Sequence, residues 1–229
     1  MTIDSKIGAI IVAAGSGLRF GERKQFKKLG TKPLYFYSLQ KFVDCNLINE
    51  IVLVVPKDLK NTISAETSKL SNRIKVVEGG NLRQDSVLAG ISEISPSCNI
   101  ICVHDAARPF VTADLIKKTI SACEHNDSAI CAVPSDDTVK EININNNHIK
   151  RTIPRETIWL AQTPQAFRRK QLQEALIYAK DNKIQVTDEA TLLESLEFSI
   201  VVVEGSKNNF KITTPNDWKL AELMEKRND

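Results

Sequence analysis

Apolar runs of strand length, separated by stretches of helical spacing, constrain this chain more than any other feature of it. Ile7–Ala13 (IGAIIVA), Ile51–Val55 (IVLVV), Ile74–Val77, Asn99–Val103 (NIICV), Ala129–Val133 and Ser199–Val203 (SIVVV) are nearly unbroken and rich in β-branched residues. Runs of this kind read as strands buried on both faces. Between them, Leu34–Val43, Leu59–Leu70, Gln84–Ile94 and Leu115–Glu124 space their apolar residues as helices do; Leu88, Ile91 and Ile94 fall on one face. The alternation predicts a Rossmann-like α/β fold, a mostly parallel twisted sheet with helices on both faces. Right-handed crossovers then gather the strand C-terminal ends, and the loops after them, on one edge where ligands bind.

One segment breaks the rhythm. Thr138–Ile153 (TVKEININNNHIKRTI) alternates apolar and polar residues around Asn145-Asn146-Asn147, the pattern of a β-hairpin. Its arms carry little apolar surface, and such a hairpin is marginal alone. An arm over about residues 137–156, projecting from a single domain of residues 1–229 and leaning on a second subunit, is the simplest organisation. The net charge of +3, from 31 basic against 28 acidic side chains, with no Lys/Arg run, argues against nucleic acid as partner. The five cysteines are odd in number, widely spaced and without a C-x-x-C, which disfavours a disulfide framework or a zinc site and fits the reducing cytoplasm. The only N-terminal apolar stretch, Ile7–Ala14, is too short for a signal peptide, and no stretch spans a membrane.

The candidate chemistry follows the strands. The first runs into Ala13-Ala14-Gly15-Ser16-Gly17-Leu18-Arg19-Phe20-Gly21, with Lys24 close behind. Small residues let backbone N–H groups approach an anion, and Arg19 and Lys24 add cations suited to phosphate. Loop composition alone is equally compatible with a plain turn carrying surface cations. The fourth strand ends in His104-Asp105-Ala106-Ala107-Arg108-Pro109, where Asp105 could hold Mg²⁺ and Arg108 could bind an anion or orient Asp105. A structural Asp–Arg pair is the competing reading, and His104 reads as a packing residue rather than a base. Gly79-Gly80-Asn81-Leu82-Arg83-Gln84-Asp85-Ser86 follows the third strand; it is either a polar lining for a base or a tight turn capped by Asn81 or Asp85. Thr187–Ala190 reads as a helix N-terminus with Thr187 as cap.

Taken in order, Ala13–Gly21, Lys24-Gln25, Gly79-Gly80, Asp85-Ser86-Val87, Val103–Phe110, Asp137-Thr138, Thr163-Pro164-Gln165, Thr187–Ala190 and Lys211-Ile212-Thr213 resemble the 2-C-methyl-D-erythritol 4-phosphate cytidylyltransferase family. The resemblance implies transfer of CMP from CTP to the polyol phosphate with release of pyrophosphate, in non-mevalonate isoprenoid synthesis. It implies that Ala13, Ala14, Gly15, Gly80, Asn81 and Ser86 line the base and sugar pocket, that Arg19 and Lys24 hold the triphosphate and stabilise the transition state, and that Asp105 lies beside Mg²⁺ and the substrate. It further implies that Thr138, Arg155, Thr163 and Lys211 position methylerythritol phosphate with Arg108 close by. A homodimer is implied, in which the hairpin arm carries Arg155 into the partner's site. The chain departs from the family pattern at Asn81, where Asp is frequent, and at Arg23, where Pro is common.

Three other readings remain. Ribitol-5-phosphate cytidylyltransferases usually carry Leu-Ala-Gly-Gly and His-Asp-Ser-Val-Arg, where this chain has Ala-Ala-Gly-Ser and His-Asp-Ala-Ala-Arg. A non-catalytic nucleotide-binding regulatory module would have no need for cations on both reacting phosphates. A dinucleotide-dependent dehydrogenase is disfavoured because Phe20 stands where G-x-G-x-x-G requires its third glycine.

Overall fold

The computed structural model describes residues 5–17 and 20–227. The chain opens with β1 (Lys6–Val12), a small ladder of β2 (Lys28–Leu29) and β3 (Lys32–Pro33), α1 (Leu34–Asp44), β4 (Ile48–Val55), α2 (Lys60–Thr67), β5 (Ile74–Glu78) and α3 (Arg83–Glu93). It continues through β6 (Cys98–Asp105), α4 (Ala113–Glu124), β7 (Ser128–Pro134), β8 (Val139–Ile142), β9 (Ile149–Ile153) and β10 (Trp159–Arg168). It closes with α5 (Arg169–Asp181), α6 (Glu189–Ser195), β11 (Ile200–Glu204) and α7 (Pro215–Glu225).

Seven strands form one sheet in the order β11-β7-β10-β6-β1-β4-β5. The β1–β4, β4–β5, β1–β6 and β7–β11 ladders are parallel, while β10 runs antiparallel to both β6 and β7. The mostly parallel α/β expectation therefore holds, and each apolar run singled out in the sequence is a strand of this sheet. The strand not foreseen is β10, which inserts between the fourth and fifth runs.

The unbroken apolar runs are explained by burial on both faces. Ile7, Ala9 and Ile11 of β1 face a cluster with Tyr35, Leu39 and Phe42 of α1 and Ile116, Ile120 and Cys123 of α4. Ile10 faces the opposite cluster, with Val87 and Ile91 of α3, Leu172 and Leu176 of α5 and Leu192 of α6. All five cysteines are buried and free. No helix among the described residues is long and apolar enough to cross a membrane.

The expected hairpin is present as the separate two-stranded ladder β8–β9, with Val139 opposite Ile153. Asn147 takes φ 58° at its turn, a conformation Asn tolerates better than most residues. Ile142, Ile144 and Ile149 are exposed on this arm.

The sheet changes direction between β1 and β6. After β1 the chain steps outward to β4 and β5, then returns through α3 to β6 on the other side of β1. Such a reversal opens a crevice beyond the strand C-termini. The returning helix packs very close: a Cβ on Gly90 of α3 would lie 2.7 Å from Cγ2 of Ile10. Gly90→Ala is therefore expected to destabilise the protein by about 1–3 kcal/mol, the usual cost of overpacking a tight core. Urea unfolding with an unchanged m-value measures it.

Candidate functional site

The crevice holds a cleft of about 550 Å³. Its walls come from four places: Val12 and Ala14–Gly17 after β1, Lys24 and Gln25 in the following 3₁₀ turn, Gly80–Arg83 and Ser86 at the start of α3, and Asp105, Ala107 and Lys211 opposite. Of the residues singled out in the sequence, the structure thus brings together Ala14, Gly15, Lys24, Gly80, Asn81, Ser86, Asp105 and Lys211. Ala13 is fully buried behind the loop, where its N–H donates to Val54 O at 2.8 Å. Arg19 lies outside the described residues.

The two glycine loops touch because neither has room for a side chain. A Cβ on Gly79 would sit 2.3 Å from the Cβ of Ala14, and one on Gly80 2.3 Å from that of Asp85. Ser86 ties the second loop to α3. Its Oγ accepts from Gly80 N–H at 3.2 Å and donates to Leu82 O at 3.2 Å. On the first loop Gly17 takes φ 74°, and the Gln25 amide donates to Gly15 O at 3.3 Å. The expected caps are corrected here. Leu82, not Asn81 or Asp85, occupies the N-cap of α3, and Asp85 reaches back to accept Leu82 N–H at 3.1 Å.

Asp105, at the end of β6, is the electrostatic centre. Arg83 Nε donates to its Oδ1 at 3.0 Å and Lys211 Nζ to its Oδ2 at 2.7 Å. Burial alone would raise this carboxyl, but Arg83, Lys211 and Arg108 outweigh it and hold Asp105 well below the usual carboxylate range. Arg83 also grips Glu189, with Nη1 2.6 Å from Oε1, while its buried Nη2 has no hydrogen-bond partner among the described residues. The cleft lining therefore sets Lys24, Arg83 and Lys211 against the single carboxylate of Asp105, an arrangement suited to a polyanion.

Thr163 and Arg108 stand behind this centre. Thr163 Oγ1 accepts from Asp105 N–H at 3.0 Å and lies 3.1 Å from His104 Nδ1. Arg108 donates to Asn209 O at 2.8 Å and Ala161 O at 3.3 Å, bracing the loops rather than lining the cleft. Thr138 and Arg155 are exposed at the two ends of the hairpin arm and do not line the cleft of their own chain; Arg155 Nη1 donates to Asp136 O at 2.9 Å.

Residues 7–227 match the family described as IspD, 2-C-methyl-D-erythritol 4-phosphate cytidylyltransferase. The chain belongs to that family. It is 40% identical over 229 residues to the 2-C-methyl-D-erythritol 4-phosphate cytidylyltransferase of Syntrophus aciditrophicus, covering 98% of this chain and 97% of the relative. It is similar to the crystal structure of the 4-diphosphocytidyl-2C-methyl-D-erythritol synthase of Anaerococcus prevotii, with TM-score 0.88, 32% identity, and 97% and 99% of the two chains covered. The bifunctional enzyme IspD/IspF of an Anaeromyxobacter species is longer. The match there is 38% identical and covers 95% of this chain but 56% of the relative.

Two functional side chains, Arg83 and Glu189, carry no signal of their role in the local sequence. By its sequence Arg83 belongs to a turn, and Glu189 is an early acid in a helix capped by Thr187. The cap of α6 is instead Asp188, whose Oδ1 accepts from Thr191 N–H at 3.2 Å. That shift points Glu189 inward, where it is 1% exposed. Arg23, which replaces the common proline, pairs with Asp58 at 2.7 Å on the surface.

His104 is fully buried, and burial pushes its pKa down to about 4, against a smaller upward pull from Asp105. It stays neutral near pH 7 and is a spacer between Thr163 and Arg108 O, as its sequence context indicates. A histidine depressed from 6.5 contributes stability that is fully present above 6.5 and lost as pH falls toward 4. At about 1.4 kcal/mol per pH unit, the loss by pH 5 is about 2 kcal/mol. Urea unfolding at pH 7 and pH 5 is expected to show a drop smaller by roughly that amount in His104→Gln than in the unmutated protein.

Proposed function

We propose that the cleft transfers the cytidylyl group of CTP to 2-C-methyl-D-erythritol 4-phosphate, releasing pyrophosphate and forming 4-diphosphocytidyl-2-C-methyl-D-erythritol. Membership of the family over residues 7–227 carries the activity. The observation that supports its location is the lining of the cleft at the sheet's reversal point by Lys24, Arg83 and Lys211, with Asp105 as its one carboxylate.

In this reading, Ala14, Gly15, Gly80, Asn81 and Ser86 receive the base and ribose through backbone groups and the Ser86 hydroxyl, while Ala13, expected among them, supports the loop from behind. Arg19 and Lys24 neutralise the triphosphate. Lys211, with Arg108, Thr163 and Asp105 behind it, receives the polyol phosphate. An oxygen of that phosphate attacks the α-phosphorus of CTP in line, the bond to the bridging oxygen breaks, and the electron pair leaves with pyrophosphate. A phosphate monoester is already anionic near neutral pH, so no strong general base is required. The protein's task is to bring two anions together in register and to offset the charge that builds between them. The neutral, buried His104 fits a mechanism without a base.

The same reading includes Mg²⁺. Among the described residues no group of three or more His, Cys, Asp or Glu side chains could cage a metal. A single carboxylate does fit Mg²⁺, which keeps several waters and is bound through one or two carboxylates plus substrate phosphates. Asp105, whose two oxygens accept from Arg83 and Lys211, would hold it by exchanging one of those contacts for the ion, which would supply further neutralisation of the phosphate oxygens.

Arg155 and Thr138 serve the partner's cleft in a homodimer formed through the hairpin arm. Support comes from their absence from the cleft of their own chain and from the exposed isoleucines of the arm. The five buried free thiols are consistent with a cytoplasmic place of work.

Two measurements test the reading. Pyrophosphate release is expected with CTP and methylerythritol phosphate in the presence of Mg²⁺, and not at comparable rate with ribitol 5-phosphate or with ATP, GTP or UTP. Faster release with ribitol 5-phosphate would move the chain to that substrate, and CTP binding without release would make it a regulatory binding module. Lys24→Ala and Arg155→Ala homodimers are each expected to be nearly inactive. Their mixture is expected to regain about a quarter of the activity through hybrid dimers with one intact site, as random pairing of equal amounts gives half hybrids. Confirmed subunit exchange without any recovery overturns the shared site.

A further inference from the structure

A third hydrophobic cluster lies apart from the two that flank the sheet. Leu29, Leu34, Ile212, Trp218 and Ala221 form its buried part, with Phe20 and Phe210 among the residues packed on its edge. It joins two stretches distant in sequence, the one carrying Lys24 and the one carrying Lys211, and Trp218 is where they meet.

The contact is specific. The Phe20 and Trp218 rings lie 5.6 Å apart at 57°, a tilted geometry that favours aromatic pairs. Lys27 Nζ sits 5.5 Å from the Phe20 centroid and 5.1 Å from that of Trp218, so one ammonium covers both faces. Lys24 Nζ lies 5.7 Å from the same Phe20 ring. Trp218 Nε1 donates to Glu222 at 2.8 Å, which fixes the indole's orientation. The helix that carries it is fixed as well, since Asp217 accepts from the N–H groups of Thr213 at 2.8 Å and Thr214 at 2.7 Å. Ile212 N–H, beside Lys211, donates to Ala107 O at 2.9 Å.

A loop that must hold a triphosphate with its backbone pays for its own ordering in affinity unless something orders it beforehand. We propose that Trp218 is a positioning residue for the nucleotide: through Phe20 it holds the Lys24 side of the glycine loop in register with Lys211 before CTP arrives. The proposal rests on the reading of this cleft as a triphosphate site. It also implies that the indole senses the triphosphate, because the ligand's charge draws on Lys24, which lies over the Phe20 ring packed against that indole.

The chain has two tryptophans, so Trp159→Phe leaves Trp218 as the only indole. In that variant, CTP is expected to change the indole fluorescence saturably, and CMP, which lacks the outer phosphates, to change it little. By calorimetry, Trp218→Leu is expected to weaken CTP about three- to tenfold, the range of an aromatic pair with its cation, and CMP less than about twofold. Trp218→Phe should retain affinity within about twofold, Phe20→Leu should reproduce the loss, and the double variant Phe20→Leu/Trp218→Leu should lose no more than either single one. Equal weakening of CTP and CMP, unchanged CTP affinity in Phe20→Leu, or additive losses overturn the proposal; Phe20→Leu, at the edge of the cluster, carries the test if Trp218→Leu fails to fold. Intact CTP binding without pyrophosphate release by the unmutated protein sinks the functional reading and leaves this one standing. Absence of CTP binding sinks both.

Discussion

The site depends on one buried carboxylate shared by two cations. Asp105 ends the strand at the centre of the sheet, and its two oxygens fix Arg83 on α3 and Lys211 on the C-terminal segment. Remove the charge and Lys211 loses its anchor, while Arg83 is left held by Glu189 alone. Buried ion networks of this kind add little net stability, because desolvation consumes most of the Coulomb gain. Their value lies in geometry: three chain segments are held where their charges meet a ligand without reorganising.

Glycine performs the complementary task. Where the ends of β1 and β5 meet, Gly79 and Ala14 leave no space for a larger side chain, so backbone stands where side chains otherwise would. The cleft thus combines a neutral, backbone-lined half with a cationic half. Behind both, Thr163, His104 and Arg108 form a hydrogen-bonded layer that keeps the end of β6 from shifting.

The parallel half of the sheet was legible because its strands are buried on both faces and therefore apolar at nearly every position. β10 was not, for a physical reason. Gln162, Thr163 and Gln165 are buried in it, yet polar, because they satisfy loop carbonyls, Asp105 and Asp188 rather than pack. A strand whose inward side chains are hydrogen-bonding groups carries no hydrophobic signature. The hairpin was visible from alternation and its Asn-rich turn. The loop residues of the cleft were visible one by one, since small residues and cations follow each strand. What no local pattern could reveal is the pairing of Arg83 with Glu189 across 106 residues of sequence. Only a helix that begins one residue later than its best apparent cap turns that acid inward.

The arm's two feet stand on neighbouring strands: it leaves from the end of β7 and returns into β10, where Pro134 and Trp159 face each other in the ladder. Everything between them is an excursion whose closure is already provided by the sheet. Its length and sequence can drift at little cost to the fold of the rest of the molecule. The returning foot, however, leads within a few residues to Thr163 and the backbone of Asp105. A tether tolerant of change at its tip is thus rooted beside the buried carboxylate that fixes Arg83 and Lys211.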